Sequence, residues 1–333
     1  MRIIETISGL EKIRKGCVLT IGNFDGVHIG HQEILTAAEK TAIQKQTELV
    51  VMTFDPHPVA ILHSQKNPRV LTPLELKKHL LAEFRVDYLL VLKTTLELLS
   101  LSPQEFVQRF LVKSIQPSVV VEGESFNFGY RRGGNIHTLQ ELGAEEGFLV
   151  SVIGAREVKL STGQTAKVSS TMIRNMLEGG RVTDAAVALS RPYRLIGQVN
   201  PGCGKGKQLG FPTANIEPSQ QIIPAEGVYA GCVQIGDSEG EVCISKGKLP
   251  AAFSIGRAQT LGSDNPQAIE AHILTDDVGD LHRKWLAMDF IERLRSQKKF
   301  QSEKELAAQI ANDCEKAKQI LATKDTEKDK LEL

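Results

Sequence analysis

Hydrophobic residues up to about residue 190 form short uninterrupted runs that alternate with longer amphipathic segments. Such runs are typical of strands covered on both faces, as in a parallel sheet. The predicted strands are residues 18–21, 49–53, 88–92, 118–121 and 148–153. The predicted helices between them are residues 32–45, 74–84, 104–115 and 135–145. This alternation predicts an α/β domain with an open parallel sheet and helices on both faces.

Two of these helices carry a start signal in the sequence. Thr72-Pro73-Leu74-Glu75 and Ser102-Pro103-Gln104-Glu105 each offer a capping hydroxyl, a proline at the first helical position and a glutamate that completes a capping box. We therefore expect Thr72 and Ser102 to cap their helices.

The pattern changes after Arg191, where glycine, proline and short β-prone segments predominate. The predicted strands here are residues 194–199, 227–235, 241–244, 251–255 and 268–275. They favour an antiparallel barrel or sandwich. A further capping box at Ser302 opens a last helix that is expected to end near Leu321. We place the domains at 1–187 and 188–322, and expect the charged tail 323–333 to be disordered.

Charge and cysteine content narrow the classes of function. Among the 333 residues, 41% are hydrophobic, and Lys+Arg and Asp+Glu number 40 each, so the formal net charge is zero. No basic field favours nucleic acid or a membrane surface as partner. The five cysteines have no paired spacing, and no apolar run is long enough to span a bilayer. The sequence predicts a cytoplasmic protein, and no pattern predicts how copies assemble.

The chemistry begins in residues 17–31, CVLTIGNFDGVHIGH, where an apolar run breaks into a glycine-rich turn before a helix. A strand, a glycine-rich turn and a helix N-terminus together form the local geometry that binds phosphate. Imidazoles can also donate hydrogen bonds to phosphate oxygens, which suggests a role for His28 and His31. A histidine pair alone is more often a surface or core feature.

A second segment, SSTMIR at residues 169–174, also directs hydroxyls and N–H groups toward an anion, with Arg174 one turn along a short helix. The H-x-G-H spacing and this S/T-x-x-I-R segment resemble the two signatures of the nucleotidyltransferases that include class I aminoacyl-tRNA synthetases. Kinship with the synthetases themselves is not favoured, because no anticodon-binding region follows.

Flanking motifs make the resemblance more specific. GNFDGVHIGH (22–31), TFDPHP (53–58), VEGESFNFGYRRGG (121–134) and SSTMIR stand in the order of an FMN adenylyltransferase module. LGFPTAN (209–215), EGVY (226–229), IEAH (269–272) and the segment 290–300 resemble riboflavin kinases. Residues 15–320 thus resemble the bifunctional riboflavin kinase/FMN adenylyltransferases, the prokaryotic FAD synthetase family. The resemblance implies a Rossmann-like nucleotidyltransferase domain over 1–187 and a mainly antiparallel β-barrel kinase domain over 188–322 that ends in a helix.

The resemblance also implies roles in adenylyl transfer. His28 and His31 would stabilise charge on the triphosphate of ATP, and Ser170, Thr171 and Arg174 would hold its β/γ end. The ATP- and phosphate-binding loop would comprise Gly22, Asn23, Phe24, Gly26 and Gly30. His57 would either shape its turn or contact phosphate, and shaping is favoured. Asn127 and Arg132 are the candidate flavin contacts.

In the kinase half, the resemblance assigns Thr213 and Asn215 to Mg²⁺–ATP and Glu270 to deprotonation of the ribityl hydroxyl. Residues 202–207, GCGKGK, resemble the family's ATP loop, so Gly204, Lys205 and Lys207 are candidate phosphate contacts. This segment is not a P-loop, because it is one residue short and has Gln208 in place of Ser or Thr.

The implied function is conversion of riboflavin to FMN and of FMN to FAD, with two ATP and Mg²⁺. The partners are therefore small molecules, namely riboflavin, FMN and ATP. Two alternatives remain. In the first, only the adenylyltransferase half is active, because residues 257–261 of the kinase half, RAQTL, depart from the family's R-x-P-T-F. In the second, the protein is a non-catalytic flavin or nucleotide sensor. Ser125 also departs from the family's usual Asn or Asp.

Overall fold

The structure is a computed structural model that describes residues 1–62, 69–201, 205–245, 247–257, 267–275 and 278–329. Its contacts divide the chain into two compact units. The first comprises Met1–Lys159 and Thr165–Ser170, and the second Leu160–Gln164 and Thr171–Leu333. This division falls earlier in the chain than residue 187, because the segment that follows Ser170 packs on the barrel of the second unit. The 187/188 boundary between functional domains stays a prediction.

The first unit is built on a parallel sheet. Its strands are β1 (Arg2–Ile4), β2 (Val18–Ile21), β3 (Leu49–Asp55), β4 (Tyr88–Lys93), β5 (Val119–Gly123), β6 (Asn127–Phe128), β7 (Gly134–Asn135), β8 (Leu149–Ile153), β9 (Glu157–Lys159) and β10 (Thr165–Lys167). Six of them form the sheet in the order β1-β4-β3-β2-β5-β8, with every neighbouring pair parallel. The predicted α/β fold is confirmed.

The helices of the first unit are α1 (Ile29–Lys45), α2 (Pro58–Leu62), α3 (Leu74–Ala82), α4 (Leu96–Ser100), α5 (Pro103–Phe106) and α6 (Ile136–Glu146). A π-helix at Val107–Ile115 continues α5, and 3₁₀ turns lie at Ile7–Lys12 and Tyr130–Arg132. The capping box at Ser102 is confirmed, because the Ser102 hydroxyl and the Glu105 carboxylate each accept the other residue's backbone N–H. The predicted cap at Thr72 is wrong, since Pro73 takes the cap position without a side-chain bond.

The second unit is a closed barrel with flanking helices. Its strands are β11 (Tyr193–Asn200), β12 (Ala214–Pro218), β13 (Gly227–Gly236), β14 (Leu249–Arg257), β15 (Gln267–Ile273) and β16 (Trp285–Arg295). They close in the antiparallel order β11-β12-β15-β14-β13-β16. The helices are α7 (Ser170–Glu178), α8 (Val182–Leu189), α9 (Lys205–Gln208), α10 (Glu239–Ile244) and α11 (Glu303–Asp329). The barrel alternative is thereby confirmed over the sandwich.

Buried aromatic rings fill the barrel. The rings of Tyr193, Tyr229 and Phe253 all lie within 6.4 Å of the ring of Phe290, measured between centroids, and each of the four residues is at most 2% exposed. Full burial of an aromatic side chain contributes about 1.5–3 kcal/mol each. This cluster is therefore a main source of the barrel's stability, and it leaves the outward-facing strand residues available for a site.

Two expectations for the second unit are wrong. Residues 241–244 form part of α10 rather than a strand, because the Ser238 hydroxyl accepts the Glu241 N–H and the Glu241 carboxylate accepts the Asp237 N–H. These bonds favour a helix start over a strand. Helix α11 continues to Asp329, well into the tail expected to be disordered. The segment up to Asp329 contains no glycine or proline and is rich in lysine and glutamate, which favour helix.

Candidate active sites

A buried carboxylate holds the loop between β2 and α1, residues 22–28. Asp25 is 2% exposed, and its Oδ1 accepts the backbone N–H groups of Leu71 and Thr72 at 2.9 and 3.0 Å. The Thr72 hydroxyl accepts the N–H of Gly26 at 2.9 Å. Thr72 therefore anchors this loop, which is why it does not cap α3. Asp25 gives the loop one fixed conformation at the carboxyl edge of the sheet.

The loop is also shaped by an unusual backbone. Phe24 and Val27 have φ angles of 45° and 39°, in the left-handed region that L residues rarely adopt. The Phe24 ring covers Gly22, where a Cβ atom would lie 3.2 Å from the ring. Such conformations persist where the surrounding structure enforces them, and they cluster at functional sites. Gly22 and Phe24 thus determine the loop's shape, while their contact with ATP stays a prediction.

The two histidines form a stacked pair at the start of α1. Their ring centroids are 3.6 Å apart with an interplanar angle of 14°. His28 is the N-cap residue, and its Nδ1 accepts the backbone N–H of His31 at 3.3 Å. The proton of the neutral His28 ring therefore lies on Nε2, where it can be donated to an anion. A Cβ at Gly30 would lie 3.2 Å from the His28 ring, so glycine at this position permits the pair.

Ser170, from the second signature, reaches the same loop within the first unit. Its hydroxyl donates a hydrogen bond of 2.8 Å to the backbone oxygen of Asp25. Ser170 also begins α7, in which the exposed Thr171 and the half-buried Arg174 follow. The two motifs that the sequence predicted to face an anion therefore make contact through Ser170. The roles of Thr171 and Arg174 at the triphosphate stay predictions.

Asn23 and the two candidate flavin contacts occupy different surroundings. The Oδ1 atom of Asn23 is buried and accepts no hydrogen bond from the described residues. Asn127 and Arg132 are exposed at the β6–β7 hairpin, where the Asn127 amide donates to the Ser125 carbonyl at 2.6 Å. The hairpin is anchored by Phe128, which is 8% exposed. Both candidates are therefore accessible to a ligand, and their contact with flavin stays a prediction.

Two charged residues of this unit were not predicted from the sequence. Glu122, at the carboxyl end of β5, accepts the N–H of Ile21 at 2.5 Å and the hydroxyl of Thr20 at 3.4 Å. Its complete burial raises its pKa well above the ordinary value. Lys77 is buried in α3. A charged residue within an apolar segment is the sequence signal that could have identified them. Glu122 lies inside an apolar strand, and Lys77 lies on the apolar face of a helix.

The second candidate site is a cavity of about 970 Å³ on the barrel. Thr213, Asn215 and Glu270 all line it, together with residues of α11 that include Lys318. Asn215 on β12 lies directly opposite Glu270 on the antiparallel strand β15. Directly opposite residues of paired strands present their side chains to the same face. The structure therefore brings together the three residues that the sequence predicted for the kinase site.

Close backbone packing shapes the mouth of this barrel cavity. A Cβ at Gly206 would lie 2.5 Å from the Phe211 carbonyl oxygen and 3.0 Å from Thr213 Oγ1. Gly206 therefore allows α9 to lie directly against the segment that carries Thr213. On the other side, Nδ1 of His272 lies 2.8 Å from the Pro212 carbonyl oxygen, and the imidazole ring packs edge-on to Phe211. His272 thus holds the same segment in place.

Glu270 has the electrostatic character of a proton acceptor. Burial raises its pKa above the ordinary value for glutamate. A carboxylate with a raised pKa is a stronger base than an ordinary one and is better suited to accept a proton. Among the candidates at the barrel cavity, Glu270 is the one with the chemistry needed to activate a hydroxyl.

The remaining residues predicted for the kinase site lie within or next to segments outside the described residues. Lys205 and Lys207 belong to α9, and Gly204 lies outside the described residues. The segment that departs from the family pattern begins at Arg257, the last residue of β14, and positions 258–261 lie outside the described residues. The phosphate contacts of this loop stay predictions.

A solved structure shows the same fold over nearly the whole chain. A crystal structure of a Streptococcus pneumoniae protein, described as a macrolide-efflux protein, matches with a TM-score of 0.79 and 26% identity. The match covers 96% of this chain and 99% of that one. Within the part of the chain that the structure describes, no helix is both long enough and apolar enough to cross a bilayer.

The sequence comparisons identify the family. A model described as FAD synthetase matches residues 10–172, and one described as riboflavin kinase matches residues 189–321. A bifunctional riboflavin kinase/FMN adenylyltransferase of Escherichia coli is 33% identical over 94% of this chain and 96% of its own length. One from Pseudomonas fluorescens is 34% identical over 97% and 98%. With these matches in both halves, the chain belongs to the bifunctional riboflavin kinase/FMN adenylyltransferases, which convert riboflavin to FMN and FMN to FAD.

Proposed function

We propose that residues 1–187 carry out adenylyl transfer and residues 188–322 carry out phosphorylation of riboflavin, at two separate sites. One observation carries this assignment: each candidate site lies in the region matched by its own family model. The β2–α1 loop lies within 10–172, and the barrel cavity is formed by residues after 189. The predicted boundary at 187/188 falls between the two matched regions.

In the adenylyl transfer, a phosphate oxygen of FMN attacks the α-phosphorus of ATP. The bond from that phosphorus to the β-phosphate bridging oxygen breaks, and pyrophosphate leaves with the electron pair. The attacking group is already anionic, so the site must align two phosphates and stabilise charge, and it needs no base. His28 donates a hydrogen bond from Nε2, His31 is the second imidazole donor, and the first N–H groups of α1 add positive potential. Ser170, Thr171 and Arg174 hold the β/γ end.

In the kinase reaction, the 5′-hydroxyl of riboflavin attacks the γ-phosphorus of ATP, and ADP leaves. The hydroxyl must lose its proton as the new oxygen–phosphorus bond forms. Glu270 accepts that proton, and its raised pKa strengthens it as a base. Gly204, Lys205 and Lys207 contact the phosphates of ATP.

The donor atoms at the barrel cavity fit Mg²⁺ when ATP accompanies it. Thr213 and Asn215 supply neutral oxygen ligands, and among the described residues no cluster of three or more His, Cys, Asp or Glu side chains offers a complete metal cage. Mg²⁺ is characteristically held by few protein oxygens together with substrate phosphates. When bound, Mg²⁺ would neutralise phosphate charge, and Thr213 and Asn215 would hold it.

We also assign the protein to the cytoplasm, with riboflavin, FMN and ATP as its partners. The described cysteines Cys17, Cys232, Cys243 and Cys314 are all free thiols. Free thiols are typical of a reducing compartment. The balanced charge supports small molecules rather than nucleic acid or an anionic membrane as partners.

The test is a time course of the protein with riboflavin, ATP and Mg²⁺, in which FMN and FAD are separated by chromatography. FMN is expected first and FAD after it, and FMN supplied directly is expected to give FAD. FAD from FMN but no FMN from riboflavin would indicate that only the adenylyltransferase half is active. Flavin binding without either product would indicate a sensor.

A further inference from the structure

Helix α3 carries a lysine on its buried face. Lys77 is only 5% exposed and shares that face with Leu76, Leu80 and Leu81, which are at most 7% exposed. Desolvating an ammonium group costs several kcal/mol unless a partner compensates. A leucine or methionine would fill this position at lower cost. The presence of lysine therefore calls for a reason other than packing.

No described residue forms an ion pair or side-chain hydrogen bond with the Lys77 ammonium group, an ion pair being N···O within 4.0 Å. The carboxylates of Asp25 and Asp55 act on it from farther away; they raise its pKa, while burial lowers it by more. Within the described part of the chain, Lys77 is thus a nearly buried lysine whose amino group lacks a direct counterion.

The position of Lys77 points to the β2–α1 loop. Its backbone N–H donates to the Pro73 carbonyl at 2.9 Å, so it lies in the first turns of α3. Thr72, which precedes that helix, is bonded to Asp25 and Gly26 of the loop. The other charge that acts on Lys77, Asp55, is the last residue of β3. Lys77 therefore lies at the carboxyl edge of the sheet, where ligands of parallel α/β folds bind.

The order of the strands places Lys77 on one side of the β2–α1 loop. Strand β3, whose last residue Asp55 acts on Lys77, neighbours β2 on the side away from β5. The triphosphate already has His28, His31, Ser170 and the helix N-terminus as candidate partners. Of the cations named above, only Arg132 is a candidate flavin contact, and it lies exposed at the separate β6–β7 hairpin. An ammonium group is suited to hold a phosphate as a point charge.

We propose that Lys77 binds the phosphate of FMN at the β3 side of the β2–α1 loop and positions it for attack on ATP. This inference rests on the proposed adenylyl transfer at this site. Lys77 takes part in no proton transfer. Its ammonium group supplies the positive charge that holds the phosphate beside the α-phosphorus, and Asp25 fixes the loop on which both sites depend.

The test compares Lys77→Met and Lys77→Arg with the full-length wild type in FAD formation from FMN and ATP. A hydrogen-bonded charge contributes about 1.5–3 kcal/mol, which corresponds to a loss of about 10- to 150-fold in kcat/KM for FMN in Lys77→Met. The KM for ATP is expected to change less than about twofold. Lys77→Arg, which keeps the charge, recovers part of the loss.

Stability provides the readout that separates this role from a structural one. Replacing an unpaired buried charge with an apolar side chain of similar length is neutral or stabilising. The midpoint of thermal unfolding of Lys77→Met is therefore expected to equal or exceed that of the wild type. Lys78→Met is the matched control, because Lys78 is paired with Glu75 at 2.9 Å in the same helix. It is expected to leave both FAD formation and riboflavin phosphorylation unchanged.

Three results would overturn the inference. The first is unchanged FAD formation in Lys77→Met, and the second is a loss that parallels a lowered unfolding midpoint. The third is a rise in KM for ATP alone, which would assign the phosphate to ATP. In each case the wild type still makes FAD from FMN. Failure of the wild type itself to make FAD would instead refute the proposed function of the site.

Discussion

The β2–α1 loop and the barrel cavity are both assigned to reactions at phosphorus. The first is a loop between a strand and a helix, whereas the second lies on the strands of a barrel. The loop lies between secondary structure elements and relies on backbone N–H groups, imidazoles and a strained conformation fixed by Asp25. The cavity instead places Asn215 and Glu270 on two paired strands. The nucleophiles explain this difference. A phosphate is already ionised, whereas a hydroxyl must lose a proton, so only the barrel site requires a base.

The strongest test of this contrast removes the base from the barrel cavity. Glu270→Gln keeps the shape of the side chain but cannot accept the proton, so riboflavin phosphorylation is expected to fall by about 10²- to 10⁴-fold. Conversion of supplied FMN to FAD is expected to continue at the wild-type rate, measured by chromatography. If both steps were lost with FMN supplied, the two-site assignment would be wrong.

The reciprocal test removes the imidazoles from the loop. Replacing His28 and His31 with alanine deletes donors aimed at developing charge, so FAD formation is expected to fall by about 10²- to 10³-fold. FMN should then accumulate from riboflavin, because the barrel cavity is unaffected. Equal losses in both activities would point to a folding defect instead, which circular dichroism of the variant would reveal.

The two reactions should also differ in their dependence on pH. Burial raises the pKa of Glu270 above the ordinary value of about 4.3. Below this raised pKa the base is protonated, and kcat/KM for riboflavin is expected to fall about tenfold per pH unit. FMN adenylylation should lack the limb set by Glu270, and its own acid limb should follow the second ionisation of the FMN phosphate, with a pKa of about 6. An identical acid limb in both profiles, measured in one buffer series, would contradict the assignment.

The smallest effect is expected from a methyl group beside the histidine pair. Gly30→Ala places a Cβ 3.2 Å from the His28 ring, so the ring must move by a few tenths of an ångström. Misplacement on this scale is expected to reduce FAD formation on the order of tenfold. Gly147→Ala is a poor control because of its positive φ, so Gly154→Ala, which has open space around it, serves instead. A Gly30→Ala variant as active as Gly154→Ala would exclude a strict requirement for the stacked geometry.

Much of the fold was predictable because local signals and tertiary packing agree. Strand β2 has the predicted bounds, and the capping box at Ser102 forms as expected. Strand β16 was not predicted, because residues such as Leu286, Ala287 and Met288 favour a helix in isolation. Barrel closure overrides that preference. Strand β12 was not predicted for a similar reason, because its Asn215 and Pro218 are residue types disfavoured in strands.

The candidate sites were predictable where a motif is contiguous and unpredictable where the fold assembles them. Glu270 and Asn215 were identified by their motifs, and their cross-strand pairing emerged only from the register of β12 and β15. Thr72 illustrates the converse. A hydroxyl before a helix indicates a cap locally, but a buried carboxylate distant in sequence offered it a better partner. Pairing of this kind depends on tertiary structure.

The hydrogen bond from Ser170 to the Asp25 carbonyl joins residues 145 positions apart. During synthesis the loop and α1 leave the ribosome long before Ser170 exists, and chain elongation takes about 5–20 residues per second. The loop therefore spends on the order of ten seconds without this hydrogen bond. Contacts of such long range are also the slowest to form. Ser170 thus marks the time at which a nascent chain can first form this hydrogen bond to the loop, well before the barrel is synthesised.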